Sequence, residues 1–131
     1  MTETFTKAER LCSQKLIDQL FAGGNASIAA FPLRAIYRLS ERGENDAAPI
    51  AVLVSIPKRR LHRAVDRNRM KRQIREAYRR NKHTLWEWLE ANGKRMELAF
   101  ICISDSLCES SRVTASVQKI LRRIEETLTA V

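Results

Sequence analysis

The stretch Asp66–Lys82, DRNRMKRQIREAYRRNK, combines a helical apolar repeat with an unusual density of positive charge. Its apolar residues recur at steps of three and four, which at 100° per residue places them on one stripe of a helix. This stripe consists of Met70, Ile74, Ala77 and Tyr78. The opposite side consists of Asn68, Lys71, Arg72, Arg75, Arg79 and Lys82. Like charges at this spacing repel by roughly 0.2–0.5 kcal/mol per pair. The stretch therefore predicts a helix with two functions. Its apolar face packs in the core, and the positive charge of its other face is neutralised by a bound polyanion.

The charge of the whole chain comes from one segment. Pro57–Lys82 holds twelve basic and two acidic residues, whereas the rest of the chain holds twelve basic and thirteen acidic residues. The segment has nine Arg and three Lys, and the planar guanidinium pairs with phosphate bidentately and stacks on bases. A membrane-surface helix would need an apolar outer face, but the core requires that face here. This pattern favours structured RNA over a membrane and over an ordinary solvated helix.

The first half of the chain predicts one helix and two strands. Helical spacing over 13–22 ends at Gly23 or Gly24, either of which can adopt the left-handed conformation. Residues 31–39 alternate as a strand, with Phe31 on the apolar face and a partly basic second face. Residues 50–56, IAVLVSI, form a nearly continuous apolar run that suits an interior strand. We expect these two strands to pair antiparallel.

The second half predicts a helix, a strand and a helix. The apolar repeat continues to Leu89, which predicts one helix longer than twenty residues with Asp66 as its N-cap. The strand MELAFICIS, 96–104, follows, and a βαβ unit usually makes its two strands parallel. Ser110 or Ser111 can cap a last helix. The predicted order is α-β-β-α-β-α, in one domain over residues 1–131.

The sequence shows no catalytic constellation and no metal site. His62 suits a loop residue near phosphate better than a general base, and Glu76 suits a salt bridge that orients an arginine. The cysteines Cys12, Cys102 and Cys108 match no common zinc spacing. With no signal-type or membrane-spanning run, we expect a reduced, cytoplasmic protein. A helix-turn-helix would be mostly helical, and an RNA-recognition motif needs paired strand aromatics, so neither fits.

The motif AVDRNRMKRQIREAYR resembles the signature of the bacterial ribonuclease P protein family. The matching residues are Ala64, Val65, Arg67, Asn68, Arg69, Met70, Lys71, Arg72, Arg75, Glu76, Ala77, Tyr78 and Arg79. The step LVSIPKR, the pairs RL at 10–11 and LF at 20–21, and the element order add to the likeness.

The resemblance implies a fold and a role. The fold would be an α/β (α+β) sandwich related to the second domain of ribosomal protein S5, with a left-handed crossover where the general rule predicts a right-handed one. The protein would be an accessory subunit with no catalytic residue of its own. Its partners would be the catalytic RNA and precursor tRNA, with neither membrane nor DNA. Mg²⁺, held mainly by the RNA and the substrate, would serve hydrolysis that releases the 5′ leader.

The resemblance also implies two binding surfaces. Docking on the catalytic RNA would fall to Lys58, Arg59, Arg67, Asn68, Arg69, Lys71, Arg72, Arg75 and Arg79. Leader binding in a cleft between the first helix and the sheet would fall to Phe21, Arg34 and Ile36.

Three departures from the family pattern bear on these surfaces. Ile17 stands where the family commonly has Phe, so that one stacking platform fewer is expected. Pro57 replaces a Ser, and RRLHR replaces a shorter loop. A ribosome-associated protein that uses the same face on ribosomal RNA is the second interpretation of this sequence, and a nuclease acting without RNA is the third.

Overall fold

A four-stranded sheet with helices on both faces organises the chain in this computed structural model, which describes residues 7–11, 13–44 and 46–130. Cys12 lies outside the described residues. The strands are β1 (Ala26–Ala30), β2 (Leu33–Glu41), β3 (Ile50–Ser55) and β4 (Lys94–Cys102), in the order β1-β2-β4-β3. The helices are α1 (Gln14–Phe21), α2 (Ala64–Asn81), α3 (His83–Ala91) and α4 (Ser110–Thr129), and a 3₁₀ turn at Lys7–Glu9 precedes them. The predicted α/β (α+β) class and the order of its elements are confirmed.

The strand pairing differs from the prediction in one respect. β3 and β4 are parallel, as the βαβ unit predicts, with Val52 opposite Leu98. β2 does not pair with β3, however, but runs antiparallel to β1 and β4. Five consecutive residues of β4, from Met96 to Phe100, are buried. A strand covered on both faces takes an interior position, which moves β3 to the edge.

The outer edge of β3 is covered by the N-terminal segment. The Leu11 N–H donates to the Val52 carbonyl at 2.9 Å, and Arg10 forms a parallel bridge with the same residue. The prediction that 50–56 is an interior strand is therefore wrong for the sheet order. Its nearly continuous apolar character has a different cause, since Ile50, Val52 and Val54 pack in one hydrophobic cluster and Ala51 and Leu53 pack in another on the other face of the sheet. The pairing with the N-terminal segment shields the backbone groups of this edge.

β1 was not predicted, because ASIAA has neither β-branched enrichment nor an apolar alternation. It forms a hairpin with β2 through a turn at Phe31 and Pro32, whose peptide bond is cis. The prediction that places Phe31 in a strand is wrong. Its side chain lies in the turn and is 53% exposed.

The predicted long helix is two helices that meet at Lys82, the residue that ends α2 and precedes α3. The Lys82 Nζ donates to Glu9 Oε2 at 2.7 Å and to Oε1 at 2.8 Å, and both side chains are buried. A buried ammonium requires a partner, and this one comes from 73 residues away in the sequence. The local repeat contains no signal for such a break.

Two predicted caps are wrong and one helix end is confirmed. α2 begins two residues before Asp66, because the Arg63 carbonyl already accepts the first helical N–H groups and Arg63 is the N-cap. Glu109 is the N-cap of α4, and the Ser110 hydroxyl instead accepts a hydrogen bond from Gln73. Gly23 and Gly24 both have positive φ after α1, as predicted.

Burial separates the two faces of α2. Its apolar stripe is buried in the main core with the inner faces of α3 and α4. A smaller core lies between α1 and the other face of the sheet, built on Leu11, Leu20, Ala51 and Ala99. The cationic side of α2 is thereby turned outward. No helix in the described residues is long and apolar enough to cross a membrane. The handedness of the β3-to-β4 crossover stays a prediction.

Candidate RNA-binding surfaces

The exposed side of α2 forms a concave, cationic surface, here called the α2 basic face. A cavity of about 400 Å³ on this face is lined by Arg10, Asn68, Lys71, Arg72, Arg75, Glu76 and Arg79. Of the nine predicted docking residues, the five from α2 in this set share one concavity, and Arg69 lines the adjoining groove with Arg72. Five cations against one carboxylate make the surface suited to a phosphate backbone.

Arg10 belongs to this surface although it was not among the predicted docking residues. It precedes Leu11, whose N–H pairs with β3, and follows Glu9, whose carboxylate pairs with Lys82. These two contacts place residue 10 beside α2. The available signal was the RL pair at 10–11, which resembles the family but carries no charge pattern of its own.

Glu76 orients Arg79 of the α2 basic face, as predicted for one arginine, and also pairs with the neighbouring Arg80. Its Oε1 accepts from Arg79 Nη2 at 2.5 Å and from Arg80 Nε at 2.9 Å. The hydrogen bond from Arg79 is the main reason that the pKa of Glu76 is lowered, with Arg80 adding to it and partial desolvation opposing it. The carboxylate therefore stays ionised and fixes the direction of these guanidinium groups.

Arg67 points to the loop before α2. Its Nη1 donates to the carbonyl oxygens of Leu61 and His62 at 3.0 and 2.8 Å. This arginine therefore braces the basic loop 57–63 against the first turn of α2. Lys58 and Arg59 in that loop are exposed, so that the loop presents cations on a fixed backbone.

The three predicted leader-binding residues lie together in a cleft between α1 and the sheet. The cleft has a volume of about 450 Å³. It is lined by Leu20, Phe21, Gly23, Gly24, Asn25, Ser27, Arg34, Ile36, Arg59 and Ile101. Arg59, predicted to dock with the other basic residues, is thus in the cleft and not on the α2 basic face. Phe21 is 44% exposed, which leaves its ring available for stacking.

Hydrogen bonds hold the walls of this cleft in place. Arg38 on β2 donates to the side chain of Gln19 on α1 at 2.6 Å. The Asn25 amide donates to the carbonyls of Gln19 and Leu20 at 3.1 and 2.9 Å, which closes the end of α1. The first of these contacts joins α1 to the sheet, and the second fixes the turn that follows Phe21.

Ile17 takes no part in lining the cleft. It is half-buried and packs against the smaller core beside Leu20. Ile17 therefore supplies packing, and the expectation of one stacking platform fewer stays a prediction.

The described residues contain no group of three or more His, Cys, Asp or Glu side chains placed to hold a metal ion. Cys102 is buried, burial raises the pKa of its thiol, and its Sγ lies 3.5 Å from the Ser104 carbonyl oxygen. This thiol is unsuited to nucleophilic attack.

Comparison with known proteins gives one consistent result. The family model Ribonuclease P matches residues 5–125. A Ribonuclease P protein component of Porphyromonas gingivalis is 43% identical over 119 residues, covering 91% of this chain and 85% of its own length. That of Chlorobaculum tepidum is 32% identical over 130 residues, covering 94% and 84%.

The fold is likewise similar to solved structures. The Staphylococcus aureus RNase P protein superimposes with a TM-score of 0.63 at 16% identity, covering 91% of this chain and 97% of that one. A mutant of it with defective mRNA degradation activity gives 0.64, covering 91% and 90%. At this identity the likeness concerns the fold, whereas the sequence matches carry the relationship: this chain belongs to the ribonuclease P protein family.

Proposed function

We propose that this chain is the protein subunit of a ribonuclease P ribonucleoprotein that removes the 5′ leader of precursor tRNA. Catalysis resides in the RNA component. The protein docks on that RNA through the α2 basic face and holds the single-stranded leader in the cleft beside Phe21. By doing so it increases the affinity for substrate and for Mg²⁺.

The observation that carries the docking role is the concave cluster of cations around α2. One of its arginines, Arg79, is oriented by the Glu76 carboxylate, and Arg10 is supplied by the N-terminal segment. An arginine whose direction is fixed before binding loses less conformational entropy when it meets phosphate.

The leader role is supported by a ring and cations that share one cleft. Phe21 offers a stacking surface, and Arg34 and Arg59 line the same cavity. Single strands are bound without strict sequence preference by this combination of aromatic stacking and positive charge. A double-stranded stem offers no unstacked base to Phe21, so that the cleft favours the leader over mature tRNA.

Mg²⁺ is held mainly by the RNA component and the substrate in this proposal. The described residues offer it no ligand cluster, and no step is assigned to a metal held by the protein. The protein's contribution is to neutralise phosphate repulsion between the two RNAs, which lowers the Mg²⁺ concentration needed for their association.

Reconstitution tests the proposal. The purified protein is added to a bacterial ribonuclease P RNA at low Mg²⁺, and cleavage of precursor tRNA is measured. We expect cleavage that the RNA alone does not give under these conditions. No stimulation would overturn the assignment, and co-purification with ribosomes in place of the catalytic RNA would favour an rRNA-binding role.

A pair of double variants tests the docking face. Arg69→Ala with Arg72→Ala should weaken RNA binding and reduce the salt dependence of log K by about two units of slope at most. Arg122→Ala with Arg123→Ala removes the same charge from the exposed side of α4 and is the matched control. Equal effects of the two double variants would show that net charge, and not the α2 basic face, governs binding.

A further inference from the structure

Two aromatic side chains are exposed in the described part of the chain, and the proposed leader cleft contains only one of them. Phe21 is 44% exposed and lines the cleft, whereas Phe31 is 53% exposed in the turn between β1 and β2. An exposed aromatic ring is available for stacking by an unpaired base. The position of Phe31 therefore raises the question of what stacks there.

Arg112 in the first turn of α4 already lies against this ring. Its Cζ is 4.8 Å from the centroid of Phe31. Among the residues that the structure describes, no acceptor takes a hydrogen bond or ion pair from the Arg112 guanidinium. The contact with the ring positions the guanidinium group of Arg112 and leaves its N–H donors available. A ring and an adjacent unused guanidinium match a nucleotide, which presents a base to stack and a phosphate to pair.

The turn that carries Phe31 lies at the end of the sheet at which Ile101 lines the leader cleft, although Arg112 belongs to α4 on the opposite face of the sheet from α1. Ile101 lines the cleft, and two residues further the Ile103 N–H donates to the Pro32 carbonyl at 2.9 Å. In extended chain two residues span roughly 7 Å. The turn that carries Phe31 therefore lies just past the end of the cleft, where β4 finishes.

The charge of this end of the sheet fits RNA. Arg59 lines the cleft, and Lys58 and Arg63 are exposed on the neighbouring loop. Arg60 is held by Asp105 at 3.0 Å, which fixes that loop to the segment leading into α4. Positive charge therefore accompanies the cleft on the loop 57–63, which suits a single strand of RNA.

We infer that Phe31 and Arg112 form a second site for single-stranded RNA, which takes a leader nucleotide beyond those in the cleft. The base stacks on the Phe31–Arg112 unit and its phosphate pairs with the guanidinium of Arg112. The inference rests on the proposed function. Its competing interpretation is purely structural, in which Arg112 shields the ring and stabilises the turn.

Binding to precursor tRNAs with stepwise longer leaders separates these interpretations. The holoenzyme reconstituted with wild-type protein or Phe31→Ala is titrated with each RNA. We expect equal affinities for short leaders, and a loss of about 5- to 150-fold for Phe31→Ala once the leader reaches the unit, since stacking one base contributes that much. Phe31→Tyr retains the ring and should restore the affinity. Arg112→Gln should reproduce the length-dependent loss.

A fluorescent base gives a readout that a structural role would not change. With 2-aminopurine placed at successive leader positions, one position should be quenched by wild-type protein and not by Phe31→Ala. Leu39→Ala is the matched control, because Leu39 is an apolar side chain on the same sheet with 38% exposure. It should affect neither measurement.

The outcomes distinguish the inference from the function on which it rests. If the wild-type holoenzyme binds mature and precursor tRNA equally, leader binding itself is wrong. If it prefers the leader but Phe31→Ala matches wild type at every length, only the second site is wrong. A uniform loss across all RNAs, with a lower urea midpoint for Phe31→Ala, would establish the structural role in its place.

Discussion

The buried pair between Lys82 and Glu9 makes the sharpest prediction about stability. Lys82→Met keeps a long unbranched side chain but removes the ammonium from which both Glu9 carboxylate oxygens accept hydrogen bonds. Both side chains are at most 2% exposed, and both carboxylate oxygens accept from Nζ. Removing one member of such a pair costs about 3–5 kcal/mol of unfolding free energy.

The surroundings of the pair make rescue by water difficult. The Lys82 ammonium lies 5.1 Å from the centroid of the Trp86 ring and 5.9 Å from that of Tyr78. Burial raises the pKa of Tyr78 well above its ordinary value, and the negative charge of Glu9 adds to that. Because both side chains are almost fully buried beside these aromatic rings, loss of the Lys82 charge is costly.

Equilibrium urea unfolding measures the effect. With an m-value of about 2 kcal/mol/M, the midpoint of Lys82→Met should fall by roughly 1.5–2.5 M. The double variant Glu9→Gln with Lys82→Met should recover most of the loss, since replacing both ions is often close to neutral. Lys94→Met is the matched control: Lys94 pairs with an exposed Glu41, and an exposed pair contributes about 1 kcal/mol or less. A Lys82→Met loss no larger than that of Lys94→Met would refute the reasoning.

Two further predictions concern the α2 basic face. Arg10→Ala should weaken binding to the catalytic RNA and reduce the slope of log K against log salt by about one unit, measured by titration at several KCl concentrations. The preference for RNA with a leader should stay at its wild-type value, and its loss would show that Arg10 does not act on the α2 basic face. The folded pKa of Glu76 is lowered below its ordinary 4.5, so its stabilising contribution is present above the unfolded pKa and is lost as pH falls through the folded pKa. The urea midpoints of wild type and Glu76→Gln should therefore differ at pH 7 and converge in acid; a constant difference would mean that the carboxylate's charge is not responsible.

The elements governed by local periodicity could be predicted from the sequence. The stripe of α2 from Met70 to Tyr78 and the apolar face of α4 are buried as their spacing indicates. The parallel pairing of β3 with β4 follows from the βαβ order alone. In each case the information lies within a few turns of chain, where side-chain direction is fixed by backbone geometry.

The missed features depend on contacts between distant residues. The break at Lys82 requires Glu9, and the edge position of β3 requires Leu11. Residues 26–30 adopt an extended conformation because they pair with β2, and a run of small residues gives no local signal for this pairing. The candidate site shows the same contrast. The charge pattern predicted the face of α2, whereas the positions of Arg10 beside α2 and of Arg59 in the cleft depend on the fold.

The loop 57–63 links the two proposed RNA surfaces mechanically. Arg59 reaches into the cleft, while the carbonyls of Leu61 and His62 are held by Arg67 at the start of α2. Arg60 ties the same loop to Asp105, beyond the end of β4. A loop fixed at three points does not let one surface move independently of the other. If the α2 basic face docks on the catalytic RNA, the direction of the cleft is set at the same moment, and the leader is presented at one angle to the RNA that cuts it.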